Sequence, residues 1–338
     1  MTGRTIVYLP NWLGDMVMAM PFLHALRAYE YGEIWGVGKS SAIHVYNGLN
    51  LFDRFVSIDD KGIIASLDRA SRLKKVAFKR AIALPHSFRS AFFFYNLRIR
   101  ERVGYARNKR GFMLNRKIKE TDEKPQPMVE HYLKILDVLG GNRSLAAPVL
   151  LVTDDEEHKF DEKFTDIMRP YGVFIAGAEY GPSKRWPEEH FSQLADRIIE
   201  TYGMKLYMLP GKGEERLAER IRQGVKNKDL IEIKSMNVRD LKVCLSRASF
   251  VVSNDTGPRH MAAALSTPTV ALLGPMDDTY TDYPSSCTYE VSRDISCRPC
   301  NRKNCDRNHE CMREILPDEV FEIVGRIVEK KGQDESGR

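Results

Sequence analysis

Three segments of the chain place chemically capable side chains where a strand should give way to a helix. The first is Asn11-Trp12-Leu13-Gly14-Asp15, directly after the apolar run Thr5–Leu9. A glycine there permits a tight turn and close approach of a ligand, and the carboxylate after it can take a proton from an attacking hydroxyl. Asp15 would serve equally as a cap on the next helix. The second is Gly177–Pro187 (GAEYGPSKRWP), where small residues and the cations Lys184 and Arg185 precede a helix N-terminus. That combination can cradle a diphosphate and neutralise it as it leaves, although a solvated Lys-Arg pair on a surface loop reads the same way. The third is Ser253–His260 (SNDTGPRH), a strand end running into the small-residue helix Met261-Ala262-Ala263-Ala264. Backbone N–H groups, the Thr256 hydroxyl, His260 and the helix dipole would converge on an anion there. Ordinary N-capping by Asp255 or Thr256 is the other reading.

These segments need a scaffold of alternating strands and helices. Thr5–Leu9, Glu33–Val37, Arg54–Ile58 and Ala81–Leu84 read as short buried strands, and Gly14–Tyr29 as a helix with Pro21 early in it. A polar loop, Thr121–Pro127, precedes a helix over Met128–Leu139 that stops at Gly140-Gly141. The polar stretch Thr153–Asp161 reads as the domain junction. The alternation then restarts: strands at Gly172–Ala176, Met204–Leu209, Leu230–Ile233, Phe250–Ser253 and Thr269–Leu273. Helices fall at Pro187–Tyr202, Glu214–Gln223, Val238–Ala248 and His260–Leu265, with a last one over Pro317–Lys331. The expectation is an α/β protein of two Rossmann-like domains facing a cleft, residues 1–157 and 158–316. Residues 317–338 would form a helix and tail able to pack back on the first domain. The fingerprint G-x-G-x-x-G is missing after the first strand, which argues against a dinucleotide oxidoreductase.

Composition agrees with a globular protein: 43% hydrophobic residues, 29% charged, and a net charge of +6. No run approaches the roughly 18 apolar residues that span a bilayer, and the N-terminus reads as a strand and not a signal peptide, so the expected location is the cytoplasm. The charge is uneven: between Arg69 and Lys119 there are 16 Lys or Arg against one acid, Glu101. Such a field attracts phosphates, anionic lipid head groups or nucleic acid. Within it Arg89 follows a strand, the aromatic run Phe92-Phe93-Phe94-Tyr95 comes next, and Arg107, Lys109 and Arg110 follow. Cys297, Cys300, Cys305 and Cys311 could form a tetrahedral site for zinc or an iron–sulfur cluster. Their spacing is not that of a standard ribbon, and free structural thiols fit as well.

The segments PNWLGDMVMAMP (Pro10–Pro21), GAEYGPSKRWP and SNDTGPRHMAAAL, in this order, resemble the ADP-heptose:lipopolysaccharide heptosyltransferase family over nearly the whole chain. The first two are most like its heptosyltransferase II branch. The resemblance implies the GT-B glycosyltransferase architecture, acceptor in the N-terminal half and ADP-heptose in the C-terminal half. It implies inverting transfer to the first heptose of the inner core. On matching motif positions, Asp15 is the implied general base, and Lys184 and His260 hold the diphosphate. Asp255, Thr256 and Gly257 form the donor turn, Glu214 or Glu215 accepts from the ribose, and Met236 lies against the adenine. The cations Arg89, Arg107, Lys109 and Arg110 would meet the acidic Kdo sugars and phosphates of a lipid A–Kdo–heptose acceptor at the inner-membrane surface. A Cys-rich tail of this kind occurs in the branch outside its catalytic machinery. Fixed cations and N–H donors can stabilise a departing ADP, so no obligatory divalent ion is expected. Rivals are a heptosyltransferase I or III, another sugar-nucleotide transferase, an epimerase of similar fold, or a non-catalytic nucleotide- or RNA-binding protein. No nucleic-acid motif accompanies the basic charge.

Overall fold

The computed structural model describes residues 3–59, 63–118, 126–143 and 146–336. The expected Thr121–Pro127 loop lies, through residue 125, outside them, as does Lys119 at the end of the basic segment.

The chain divides into two units, Met1–Leu151 with Thr279–Pro284, and Val152–Asp278 with Ser285–Arg338. In the first, the strands are β1 (Arg4–Tyr8), β2 (Ile34–Gly38), β3 (Arg54–Ser57), β4 (Phe78–Ala83), β5 (Glu101–Tyr105) and β6 (Arg116–Ile118). They pair in the order β3-β2-β1-β4-β5-β6, all parallel. The helices of this unit are α1 (Leu13–Met18), α2 (Met20–Tyr29), α3 (Ser41–Tyr46), α4 (Ile63–Leu73), α5 (Phe88–Asn96) and α6 (Met128–Leu139). An all-parallel sheet is covered on both faces and needs strands apolar on both, which is why Ile6, Val7 and Tyr8 are all buried.

The second unit repeats the plan. Its strands are β7 (Tyr171–Ile175), β8 (Lys205–Met208), β9 (Ile231–Ile233), β10 (Phe250–Asn254), β11 (Thr269–Leu272) and β12 (Thr288–Val291). Their order is β12-β11-β10-β7-β8-β9, with Val252 of β10 flanked by Phe174 and Val270. Around them lie α7 (Asp154–Lys163), α8 (Glu188–Tyr202), α9 (Glu215–Gly224), α10 (Val238–Arg247), α11 (Gly257–Ala264), α12 (Glu310–Arg313) and α13 (Pro317–Ser336). In each sheet the first strand leads outward one way and the fourth the other. The topological switch points are therefore β1/β4 and β7/β10, where ligands bind such sheets beyond the carboxyl ends of the strands.

Four expectations change. Thr153–Asp161 is no linker: Thr153 caps α7 in a capping box, its Oγ1 accepting from Glu156 N–H while Glu156 Oε2 accepts from Thr153 N–H at 3.0 Å. Glu156 is buried and pairs with Lys242 of α10 at 2.8 Å, so a very polar helix is docked by an internal ion pair. The division falls after Leu151, not after 157. The apolar stripe of α13, Val320, Ile323, Val324 and Ile327, lies in the core of the second unit, where the helix packs on α8, β10 and β11. Gly14–Tyr29 is two helices meeting at Ala19, with Pro21 tolerated in the first turn of α2.

Candidate functional site

In the second unit the two phosphate-suited segments close on the β7/β10 switch point. α11 starts earlier than expected, with Thr256 as its N-cap and Pro258 in the first turn, which places Arg259 and His260 at the head of the helix. Asp255, 5% exposed, is the hub. Its Oδ2 accepts from Lys184 Nζ at 2.6 Å, its Oδ1 from Arg259 Nε at 2.8 Å, and its carbonyl from Lys184 Nζ at 3.0 Å. Burial opposes the carboxylate charge, but Arg259 and then Lys184 outweigh it and hold Asp255 well below the usual carboxylate range. A carboxylate lowered on folding stabilises above its unfolded range, and that contribution is lost only as pH falls through the depressed value. Asp255 is thus a clamp for cations, holding Lys184 and Arg259 on its two carboxylate oxygens. His260 is buried and held well below its ordinary range, first by desolvation and then by Arg259. At neutral pH it is an uncharged imidazole.

The Lys184 loop is fixed from several sides. Asn254, fully buried at the end of β10, donates to Ala176 O at 2.7 Å and accepts from Trp186 N–H at 3.1 Å. The loop carrying Cys297, Cys300, Cys305 and Cys311 packs beside it: Ser183 N–H donates to Lys303 O at 3.1 Å, and Tyr180 OH to Asn301 O at 2.8 Å. Gly181 is required, because a Cβ would stand 2.5 Å from Lys303 O. None of the four cysteines is in a disulfide. Cys305 Sγ accepts from the N–H groups of Arg307 and His309, each at 3.3 Å. Cys311 is buried, which pushes its thiol up to about 11. Among the described residues no group of three or more His, Cys, Asp or Glu is placed to hold a metal ion. Through Asn301, Arg302 and Lys303 the cysteine loop buttresses the Lys184 loop.

The geometry separates two neighbouring glutamates. Glu215 is exposed, whereas Glu214 folds back to the strand ends, accepting from Ala178 N–H at 2.7 Å and Gly211 N–H at 3.0 Å. Its carboxylate occupies the space where a side chain on Gly177 would stand. Met236 is partly exposed beyond β9, just before the Asn237 cap of α10.

In the first unit, Asp15 lies in the first turn of α1, whose N-cap is Trp12, with no side-chain cap bond from that residue. The buried phenols Tyr46 and Tyr132 flank it: desolvation raises both, and the Asp15 charge raises them further. Arg89 reaches back to Tyr8 OH at 3.2 Å, over the end of β1. Arg107 approaches His86 Nδ1 at 3.4 Å, and His86 Nε2 meets His131 Nε2 at 2.7 Å. Burial, with Arg110 and Arg107 adding, holds His86 down at about 4, so this imidazole pair is neutral near pH 7. Lys109 is exposed. Arg110 departs from expectation: it is fully buried and donates to Tyr105 O, Pro85 O, Ser87 O and Ser90 Oγ. It ties the loop after β4 to the end of β5 and is not available to an acceptor. Asn254, Arg259, His86 and His131 were given no role from sequence; Asn254 and Arg259 stood inside a quoted segment, but nothing in their type announced a clamp.

The profile of glycosyltransferase family 9 (heptosyltransferase) matches residues 66–310. The chain is 26% identical over 343 residues to lipooligosaccharide heptosyltransferase 2 of Campylobacter jejuni, covering 96% of this chain and 99% of that one. It is 26% identical over 350 residues to lipopolysaccharide heptosyltransferase 2 of Escherichia coli K12, covering 96% and 98%. The structure of the E. coli ADP-heptose lps heptosyltransferase II superposes with a TM-score of 0.85 at 22% identity, covering 97% of this chain and 99% of that one, and shares this fold.

Proposed function

The chain belongs to glycosyltransferase family 9, the heptosyltransferases, and on that premise we propose that it moves heptose from ADP-heptose to the first heptose of the lipopolysaccharide inner core. The observation that carries this reading is the Lys184–Asp255–Arg259 cluster at the head of α11. A buried carboxylate that fixes two cations at a helix N-terminus builds a site for a diphosphate before any ligand arrives. The full-length likeness to proteins named heptosyltransferase 2 supports the second-heptose step.

In this reading Asp15 takes the proton of the acceptor hydroxyl as the new glycosidic bond forms and the bond to ADP breaks, with inversion at the anomeric carbon. Two ammonium hydrogens of Lys184 are engaged by Asp255, and a phosphate oxygen takes the third. His260 and the N–H groups around Thr256 and Gly257 add donors. The charge on the leaving group is met by side chains, and no divalent ion is assigned a part. Glu214 keeps a lone pair on each oxygen for the ribose hydroxyls, and Met236 lies against the adenine. Glu214→Ala is expected to raise the ADP Kd about tenfold, as for a lost hydrogen bond to a charged group. Glu215→Ala should leave it unchanged; isothermal titration of both variants decides between the two.

Arg89, Arg107 and Lys109 are assigned to the anionic acceptor. Arg107→Ala with Lys109→Ala should raise the acceptor KM about tenfold, in keeping with two exposed charge contacts. ADP affinity should stay as it is, and the KM effect should shrink as salt rises. Arg110 is left in place because it holds the loop. The whole reading is tested by mass spectrometry of a heptose-terminated core acceptor incubated with ADP-heptose, ADP-glucose or UDP-glucose. Gain of one heptose from ADP-heptose alone is expected, and transfer from another donor in preference would replace the reading. Among the described residues no helix is long and apolar enough to cross a membrane. The lipid-borne acceptor puts the enzyme's work at the cytoplasmic face of the inner membrane, as a peripheral visitor.

A further inference from the structure

α5 enters the main core with Phe93 and Phe94, and a smaller cluster with Ala91, Met113 and Leu114, on which half-buried Phe92 packs. Ala91, Phe93 and Phe94 are fully buried. Phe88, Phe92 and Tyr95, spaced i, i+4, i+7, fall on the other face, where a surface helix ordinarily carries polar residues. Phe88 is 41% exposed and Tyr95 47%. Phe112, 66% exposed on the turn after β5, joins them. The rings touch one another: Phe88 and Phe92 stack at 5.8 Å, Phe88 and Phe112 stand 6.5 Å apart, and Tyr95 and Phe112 6.2 Å. The patch is therefore one contiguous aromatic surface and not a scatter of single apolar residues.

Its rim is cationic. The Arg102 guanidinium lies over the Tyr95 ring at 5.7 Å. Arg98, exposed, follows Tyr95 at the end of α5, its N–H bonded to Tyr95 O at 3.1 Å. Lys109 is exposed on the turn that leads to Phe112. From Arg69 to Lys119 the sequence offers one acid against 16 cations. Aromatic rings that seat at the head-group level, ringed by Lys and Arg, are complementary to a negatively charged bilayer surface, whereas a protein partner would call for a mixed-charge rim.

We propose that Phe88, Phe92, Tyr95 and Phe112, with Arg98 and Lys109 at their rim, are the face by which this chain docks on an anionic lipid surface. The proposal rests on the lipid-borne acceptor for its purpose, but its test uses neither acceptor nor donor turnover. The full-length chain is sedimented with vesicles of phosphatidylcholine, or of phosphatidylcholine mixed with phosphatidylglycerol. Binding to the mixed vesicles, weakened by salt, is expected, with little to the neutral ones. Tyr95→Ser with Phe112→Ser should lower the partition at least about tenfold, since the depth of apolar burial sets binding strength. Arg98→Gln should lower it about fivefold, the share of one cation near such a surface. All variants should bind ADP like the parent in isothermal titration, which separates lost docking from lost folding. Transfer to a short, delipidated acceptor should also persist, so failure of docking and failure of the assigned reaction are read separately. Absence of binding to the mixed vesicles, or equal binding by the ring variant, overturns the proposal. So does tight binding of single-stranded RNA that the same substitutions abolish.

Discussion

Asp15→Asn is expected to lower turnover at least about 100-fold while leaving ADP affinity within about twofold, the signature of a lost general base. The substitution keeps the shape and removes only the capacity to accept a proton. Asp15 stands in the first turn of α1, directly beyond β1, at one side of the switch point of the first sheet. A sugar hydroxyl holds its proton far too tightly to release it unaided, so the base matters as bond formation advances, and the loss should fall on kcat more than on acceptor KM. The surroundings bear on this. Tyr46 and Tyr132 present buried phenols that the Asp15 charge pushes still further up. They remain neutral and do not compete for the proton. Single-turnover transfer with saturating ADP-heptose is the measurement. A rate within a few-fold of the parent would remove Asp15 from catalysis and leave it a helix-start residue. A matched loss of kcat and of melting temperature would make it structural.

The elements around both switch points were legible because parallel strands are continuous apolar runs, and β7, β8 and β10 appear within a residue or two of their expected places. β5 and β6 were not, because Glu101-Arg102 and Arg116-Lys117 put charge at the start of strands whose apolar character comes from only a few residues. Charge misled in the same way at α7, where Asp154 to Lys163 reads as linker until the Thr153 cap and the buried Glu156–Lys242 pair are seen. Site residues divide along a similar line. A motif gives the type and spacing of a side chain, and Asp15, Lys184 and His260 lie in the segments that follow β1, β7 and β10. It does not give which way a long side chain turns. Arg107 and Arg110 are three residues apart in one basic loop, yet one lies beside His86 and the other is buried among carbonyls. Glu214 and Glu215 were indistinguishable by spacing, and only the approach of Ala178 and Gly211 separates them. The aromatic run split likewise, half into the core and half onto the surface.

Lys184→Ala is expected to lower turnover about 100- to 1000-fold, the range for removing one preorganised donor to a charge that develops in the transition state. ADP affinity should fall less, about tenfold, because the diphosphate carries part of that charge before transfer begins. The asymmetry follows from how the ammonium is held. Asp255 fixes Lys184 through both its carboxylate and its carbonyl, and the Tyr180 ring lies 5.2 Å away, so the cation need not be ordered when ADP departs. The fold should survive, since Asp255 keeps Arg259 at 2.8 Å as its partner. Removing Asp255 instead would leave buried Arg259 and half-buried Lys184 without their shared carboxylate, which costs stability and confounds the reading. Lys184→Arg supplies a second arm: the charge returns, but a planar fork replaces a point charge, so ADP affinity should recover more than turnover. Isothermal titration and steady-state transfer, with melting temperature as the control, test the set. Equal losses in affinity and turnover would mean that Lys184 binds ground and transition states alike. No loss in either would place the diphosphate away from the head of α11, and with it the donor assignment of the second unit would fall.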